Sequence, residues 1–226
     1  QLSVQNVEDL AGNVMQEMHN FTYYQVKQGD VVINEIMADP TPQVGLPEAE
    51  YIELYNQSSY PVNLNDWNLQ IETTTKPLSS ATIKPDSFLI LCDDDDRQLL
   101  EPYGRVMDFT SIQLTNSGAT LVLKNNKEQV IHLVDYANNW YKDDQKEDGG
   151  WSLEQLDASN ACGGITNWLA SDNMNGGTPG TVNSVNTPNP DIQPPQIENV
   201  IIKDSTQLVL TFSEIMDSLS IEAATY

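Results

Sequence analysis

Apolar and polar residues alternate with a period of two along much of this chain, which is the pattern of β-strands with one buried face. The clearest case is the segment 51–55, in which Ile52 and Leu54 share one face and Glu53 lies on the other. A stronger apolar run covers Val31–Met37 and stops at a proline-rich segment. Both patterns predict strands, the second of them largely buried.

The same reasoning predicts a chain made almost entirely of strands. Asn125, Asn126 and Lys127 favour a hairpin turn between two of them, and the one predicted helix, at 97–103, is short. Short strands separated by Asn, Gly and Pro predict an all-β antiparallel sandwich. The further strands are predicted at 2–7, 21–26, 67–71, 88–92, 119–123, 129–136, 151–154, 197–202 and 208–212.

Composition supports a folded chain and excludes two classes of partner. The 226 residues are 39% hydrophobic, which is enough for a core, while 33 acidic against 10 basic residues give a formal net charge of −23. Nucleic acids and anionic lipids are bound through clustered Lys and Arg, so this charge argues against both. It suits a solvated exterior surface and could attract Ca²⁺.

The sequence carries no export or membrane signal of its own. No window approaches the roughly 18 consecutive apolar residues of a membrane span, and the chain opens on Gln1 within a strand-like pattern. We therefore expect a fragment of a longer protein without direct membrane insertion. Cys92 and Cys162 are the two cysteines, and both a single disulfide and two buried thiols are compatible with their spacing.

Several short motifs follow one another in an order that resembles a known family. They are Ile33–Met37 written INEIM, then EYIELYN at 50–56, VNLNDWNL at 62–69, GWSLE at 150–154, NW at 167–168, and GTPG at 177–180 with Asn183 and Ser184. Together they resemble the bacterial members of the lamin tail domain family over residues 29–186. The resemblance implies an immunoglobulin-like β-sandwich and placement in a secreted or surface-attached multidomain protein.

Both flanks of this region resemble a different module, the SbsA-type bacterial Ig-like domain. The predicted organisation is a truncated Ig-like domain at 1–28, the lamin tail-like sandwich at 29–187, a proline-rich linker at 188–195, and the start of a second truncated Ig-like domain at 196–226. Because short ribbons expose edges and apolar faces, we expect the segments 1–26 and 192–226 to pack together. This packing would occur within one chain or between two chains as a dimer.

Catalytic motifs are missing from the sequence. There are two histidines, His19 and His132, and neither lies in a nucleophile or metal motif. Glu35, Glu53 and Glu154 each lie in a strand motif between apolar residues. They could form an acid cluster for proton transfer or metal binding, but alternation favours solvent-facing positions or the capping of backbone donors. No catalytic residue is assigned.

An acidic run is the one candidate for a metal. Four aspartates directly follow the predicted strand at 88–92 and precede the short helix: Asp93, Asp94, Asp95 and Asp96. Consecutive side chains rarely converge on one ion, and the spacing is not that of an EF-hand. A solvated loop that caps the helix is therefore favoured over a Ca²⁺ site, and no other cofactor is implied.

Three of the four tryptophans are expected in two different environments. Trp67 and Trp151 lie among strand residues and are expected in the core. Trp140 and Tyr141 lie in a long loop and are expected to be exposed, where aromatic rings beside amide groups could contact a surface glycan.

These observations predict a non-catalytic, extracellular or cell-surface β-sandwich module. Its role would be spacing, adhesion or protein–protein contact beside neighbouring Ig-like domains. The alternative is an accessory domain of a secreted hydrolase, a nuclease or phosphatase, whose catalytic domain lies outside this sequence. Nucleic-acid binding by analogy with the eukaryotic lamin tail is disfavoured by the charge.

Overall fold

The computed structural model describes residues 2–20, 23–79, 81–214 and 216, and these are almost entirely strands and loops. The one α-helix among them, α1 (Arg97–Leu100), has four residues, and none of the described helices has the length and apolar composition of a membrane span. The strands are β1 (Leu2–Glu8), β2 (Val14–His19), β3 (Val31–Met37), β4 (Tyr51–Asn56), β5 (Val62–Asn63), β6 (Asn68–Ile71), β7 (Thr74–Pro77), β8 (Thr82–Ile83), β9 (Ser87–Asp93), β10 (Val106–Phe109), β11 (Gly118–Lys124), β12 (Val130–Ala137), β13 (Leu153–Gln155), β14 (Trp168–Ala170), β15 (Ile197–Ile202) and β16 (Leu208–Phe212).

Two sheets form the sandwich. One has six strands in the order β10-β9-β4-β3-β13-β14, and the other has four in the order β12-β11-β6-β7. Neighbouring strands are antiparallel except β10 and β9, which run parallel. The predicted all-β, immunoglobulin-like sandwich is confirmed. Apart from β2, the strands that the sequence did not predict are short ones, such as β5, β7 and β8, whose few residues carry little periodic signal.

The main core lies between the two sheets. Ile52 and Leu54 from β4 meet Leu69 and Leu121 from the facing sheet, and all four side chains are fully buried. Burying each such side chain stabilises the fold by about 1.5–3 kcal/mol. Trp67 is buried in the same core, as expected, while Trp151 packs against its edge and is half-buried.

The outer face of the six-stranded sheet is also covered, which the alternating pattern did not predict. All seven residues of β3 are buried. A second apolar cluster on this side joins Met37 and Tyr51 to Leu46 and Leu100. In β4 the predicted alternation is correct, but Glu53 on the second face is fully buried rather than solvent-facing.

A β-bulge in β3 decides which residues reach this outer face. The register pairs Ile33 with Leu54 and then Glu35 with Glu53, so Asn34 is the extra residue. Ile33 and Glu35 are two positions apart, and strict alternation would place both on the inner face. The bulge shifts the phase by one residue, so Glu35 points outward while Ile36 returns to the core.

The N-terminal ribbon differs from the expectation for this region. Its second strand is β2, because Asp9 accepts hydrogen bonds from the backbone N–H of Ala11 and Asn13 and so closes a tight turn before Val14. The strand predicted at 21–26 is wrong for residues 23–26, which are not in a strand, and Phe21 and Thr22 lie outside the described residues.

The two terminal ribbons, β1–β2 and β15–β16, are separate two-stranded sheets. Nearly every side chain in them is exposed, including Leu2, Met18, Ile202 and Leu208. In the part of the chain that the structure describes, the ribbons therefore do not form the shared second sandwich expected within one chain. Their pairing between chains stays a prediction, as do the domain boundaries and the SbsA-type assignment of the flanks.

Candidate functional site

Three glutamates form a row across the outer face of the six-stranded sheet. Glu53 of β4 is paired with Glu35 of β3, which is in turn paired with Glu154 of β13. Residues directly opposite each other on neighbouring strands project on the same side. All three side chains are fully buried, so we call this row the glutamate cluster.

Glu35 is the centre of the cluster and bonds to three different elements. Its Oε1 accepts hydrogen bonds from the hydroxyl of Tyr51 at 2.7 Å, the hydroxyl of Ser152 at 2.6 Å and the backbone N–H of Thr178 at 2.7 Å. Its Oε2 has no hydrogen-bond partner among the described residues. One carboxylate oxygen thus joins β4, the start of β13 and the loop at 177–185.

The other two glutamates bind the same loop further along. Glu53 accepts a hydrogen bond from the backbone N–H of Gly180. Glu154 accepts bonds from the hydroxyl of Thr178 at 2.8 Å, the hydroxyl of Ser184 at 2.8 Å and the backbone N–H of Val185 at 3.2 Å. The loop at 177–185, here called the clamp loop, is therefore fixed to the sheet by all three carboxylates.

Two asparagines close the cluster beside the bulge. Asn34 donates from Nδ2 to Glu53 Oε1 at 3.0 Å and to Asn183 Oδ1 at 2.8 Å. In return, Asn183 Nδ2 donates to the backbone oxygens of Asn34 at 2.9 Å and Gln155 at 2.8 Å. Both side chains are buried, so this pair connects the bulge, β13 and the clamp loop.

Glycine is required where the clamp loop approaches the sheet. A Cβ atom on Gly177 would lie 2.7 Å from Glu35 Oε1 and 2.7 Å from the Tyr51 hydroxyl, closer than such contacts permit. Gly180 has φ +80°, and a Cβ there would lie 1.9 Å from the backbone oxygen of Tyr103. The GTPG segment is thus explained by close packing over the carboxylates.

The electrostatics of the cluster favour protonated carboxyl groups. Burial raises the pKa of Glu35 to about 7, and the nearby charge of Glu154 adds to the shift, whereas the bonds from Ser152, Thr178 and Tyr51 oppose it. Burial, together with the charge of Glu35, also raises the pKa of Glu53 well above its usual range. None of the described side chains that bond to the cluster is a Lys or Arg. Part of the cluster is therefore neutralised near neutral pH by protonation of a carboxyl group and not by a basic side chain.

This arrangement holds a loop against the sheet. The carboxylate oxygens lie in a row and do not converge as metal ligands do; among the described residues only the aspartates at 93–95 meet that criterion. The expectation that Glu35, Glu53 and Glu154 face solvent is wrong, since each is fully buried. The other part of that expectation, that they cap backbone donors, is confirmed by their bonds to Thr178, Gly180 and Val185.

The acidic run after β9 is a separate feature. Carboxylate oxygens of Asp93, Asp94 and Asp95 lie within 4.8 Å of one another, but Asp96 is outside this group. The Asp93 carboxylate already accepts hydrogen bonds from the backbone N–H groups of Asp95 and Ile112. Asp96 takes the N-cap position of α1 without a side-chain hydrogen bond to the helix, so the capping role expected of this run is not seen. Calcium binding there stays a hypothesis.

Trp140 and Tyr141 are buried, so the expectation that they are exposed is wrong. Trp140 is 8% exposed and Tyr141 4% exposed. The Trp140 ring lies 6.1 Å from that of Trp168, because the short 3₁₀-helix at Asn138–Trp140 turns the ring into the main core. A buried pair does not offer the ring faces that contact with a glycan requires.

His132 is a structural residue of the main sheets. It is fully buried, and its Nδ1 accepts a hydrogen bond from the backbone N–H of Ile33 at 3.0 Å. Burial lowers the pKa of His132 to about 4, so the ring is neutral in the folded protein. Cys92 and Cys162, whose pairing the sequence left open, are thiols rather than a disulfide.

The sequence motifs include most residues that form or contact the glutamate cluster, but they do not reveal that these residues meet in the fold. Asn34, Ser152, Thr178 and Asn183 all lie within the motifs quoted above.

A family model described as Lamin Tail Domain matches residues 25–138, just over half of the chain. No curated protein matches the chain. The matched residues include β3 and β4, which supply two of the three glutamates.

Proposed function

Because the chain belongs to the lamin tail domain family, whose fold is the Ig-like sandwich described above, we propose that it is a non-catalytic structural module of a secreted or cell-surface multidomain protein. Its role is to separate neighbouring domains at a fixed distance and to contact another protein or surface. The fold alone does not carry this function. The support comes from what the polar residues of the family-like motifs do in the structure.

The observation that carries the proposal is the glutamate cluster. The fully buried acids of the described part of the chain use their oxygens to fix the clamp loop to the sheet, and no described histidine or lysine forms a hydrogen bond with them. Proton transfer to a substrate needs an acid within reach of that substrate, whereas these acids are fully buried. Their arrangement makes the sandwich rigid, which is the property that a spacer needs.

Two further observations support a position beside other domains at an exterior surface. The terminal ribbons expose apolar side chains on short sheets that are marginal by themselves, which favours contact with neighbouring Ig-like domains. The formal charge of −23 favours a strongly hydrated surface.

Two measurements test this proposal. Phosphodiester and phosphomonoester substrates with Mg²⁺ or Ca²⁺ should show no turnover with the protein, and labelling of intact cells with an impermeant reagent should reach it. Turnover that is lost in the Glu35→Gln variant, and retained in the exposed control Glu48→Gln, would show that the cluster is catalytic. Labelling only after lysis would contradict the surface location.

A further inference from the structure

A groove beside the turn between β11 and β12 is lined by aromatic and amide side chains. It encloses about 540 Å³, within the range of about 300–1,000 Å³ that is typical of small-molecule sites. Its aromatic side is the part of the lining formed by Tyr23, Tyr24 and Tyr60, with Trp67, and its polar side is the part formed by Gln25 and by Asn126 and Lys127 of the hairpin turn. We call it the tyrosine groove.

The aromatic side of the tyrosine groove is held in place before any ligand arrives. The rings of Tyr24 and Tyr60 are stacked, with centroids 4.4 Å apart and planes 22° apart. The Tyr24 hydroxyl donates to Asp30 at 2.7 Å, and the backbone oxygen of Tyr60 accepts bonds from Asn56 at 2.8 Å and Ser58 at 3.0 Å. Rings fixed in this way lose little conformational entropy on binding.

The same side presents ring surface to solvent. Tyr23 is 77% exposed and Tyr60 is 40% exposed. Flat aromatic surface beside polar groups suits a ligand that has an apolar face and a polar edge. Trp67 is only 2% exposed and belongs to the main core, so it is not itself a stacking surface.

The polar side of the groove offers amides that can both donate and accept hydrogen bonds. The side chains of Gln25 and Asn126 are exposed and bond to none of the described residues. Asn125 next to them is instead fixed in the turn, since its Oδ1 accepts bonds from the N–H groups of Lys127 and Gln129. A rigid turn thus positions amides whose own hydrogen-bonding groups remain available to a ligand.

The groove also differs from the rest of the surface in charge. The chain has 33 acidic residues among 226, yet none of the described residues that line this groove is acidic, and Lys127 is the one charged residue among them. The groove therefore offers no set of charges that would select an ionic ligand, which favours a neutral one.

From these features we propose that the tyrosine groove binds a neutral oligosaccharide, with a pyranose ring stacked on Tyr23 and Tyr60 and its hydroxyl groups bonded to Gln25 and Asn126. A hydroxyl group donates and accepts at once, as an amide does, whereas the C–H face of a pyranose is apolar. This inference rests on the adhesive part of the proposed function and names its ligand class.

Chemistry separates this ligand from the other occupant that aromatic grooves bind, a proline-rich peptide. A run of consecutive prolines in the polyproline II conformation presents backbone carbonyls and no N–H groups, so it requires donors alone. The tyrosine groove pairs each amide donor with an amide acceptor on the same side chain, and half of that capacity would stay unused by a polyproline ligand.

The test is titration calorimetry of the whole chain with cellohexaose, chitohexaose and maltohexaose, and separately with a decaproline peptide. At least one hexasaccharide should bind, and Tyr23→Ala and Asn126→Ala should each weaken the binding about tenfold, or about 1.4 kcal/mol. Tyr60→Phe, which keeps the ring, should bind like the wild type. The matched control is Tyr103→Ala, an exposed tyrosine outside the groove.

The inference is overturned if none of the three hexasaccharides binds, if decaproline alone binds, or if Tyr23→Ala and Tyr103→Ala behave alike. Tyr23 and Asn126 are exposed, so melting curves that match the wild type will show that both variants are folded. If no sugar binds and the phosphate substrates are not turned over, this inference fails while the proposed structural role stands. Turnover of the phosphate substrates would instead overturn the proposed function.

Discussion

At the scale of single residues, Glu35 links the fold to pH. A fully buried carboxyl group without a cation is more stable when protonated, and its pKa is raised to about 7. The folded protein then binds more protons than the unfolded chain between about pH 4.5 and 7. The stabilisation that this group contributes is complete below pH 4.5 and is lost as the pH rises through 7.

Replacing Glu35 with Gln should remove this part of the pH dependence. The Gln oxygen can accept the same three bonds without carrying a charge. The wild type should therefore lose roughly 1–3 kcal/mol more of its free energy of unfolding than the variant does when the pH is raised from 4.5 to 8. Urea unfolding at the two pH values measures the change. Glu48→Gln, at an exposed position, is the control, and a wild-type pH profile in Glu35→Gln would contradict the prediction.

His132 should act in the opposite direction. Its pKa is lowered to about 4 by burial, so the folded protein binds fewer protons than the unfolded chain between about pH 4 and 6.5. Stability should fall as the pH decreases across this window, by up to about 3 kcal/mol.

The variant His132→Gln should show a smaller loss of stability than the wild type between pH 6.5 and 4, when both are unfolded with urea. The Gln oxygen can accept the bond from Ile33 N–H but does not become charged in acid. His19→Gln, at an exposed histidine of β2, is the matched control. Equal losses in His132→Gln and the wild type would show that acid unfolding has another cause.

At the scale of elements, the clamp loop depends on Asn183. This side chain bonds to backbone oxygens of Asn34 and Gln155 and to the Asn34 side chain, all buried. Asn183→Ala removes these buried bonds, while Asn34 keeps its bond to Glu53, and the loss should cost roughly 2–4 kcal/mol in the free energy of unfolding.

Limited proteolysis should detect the same change locally, because the clamp loop of Asn183→Ala should be cut faster than that of the wild type. Asn186→Ala is the control: that exposed side chain makes one bond, at 3.3 Å, to the backbone oxygen of Leu156. If both variants melt and are cut alike, the loop is held by its carboxylate contacts and not by the asparagine pair.

The long strands were predictable from sequence, whereas the glutamate cluster was not. Strands such as β3 and β16 have the predicted bounds, because apolar residues and turn residues mark their ends. The outward orientation of Glu35 depends on one bulge, which alternation cannot reveal. The burial of Glu53 depends on a loop more than 120 residues further along the chain, and local patterns carry no information about such a contact.

The tyrosine groove was missed for a similar reason. Tyr24 and Tyr60 are far apart in sequence and meet only through tertiary structure. From the sequence, the glycan hypothesis was placed on the adjacent pair Trp140 and Tyr141 instead, although a 3₁₀ turn places both rings in the core. Proximity in sequence was the wrong guide to an aromatic surface.

At the scale of the whole molecule, the two terminal ribbons should promote association. Short ribbons with unpaired edges and exposed apolar residues pair readily with other strands. Ile202 of β15 is 76% exposed. Sedimentation velocity at increasing concentration should show association of the wild type, and Ile202→Asp should reduce it.

Met174→Asp is the matched control for that experiment, since Met174 is 83% exposed on the sandwich and the substitution adds the same charge. The melting temperature of the sandwich should be the same in both variants, because neither side chain contributes to the core. A wild-type protein that stays monomeric at every concentration would show that the ribbons need a different partner.

The bulge at Asn34 also limits how this sequence can change in length. Deleting Asn34 itself would give β3 strict alternation and leave Glu35 outward and Ile36 in the core, at the loss of the Asn34 amide bonds to Glu53 and Asn183. An insertion or deletion at any other position of β3 would move the residues on one side of it to the opposite face. A loop can lose a residue at little cost, so differences in length among homologous sequences should fall in the loops, and within β3 at the position of Asn34.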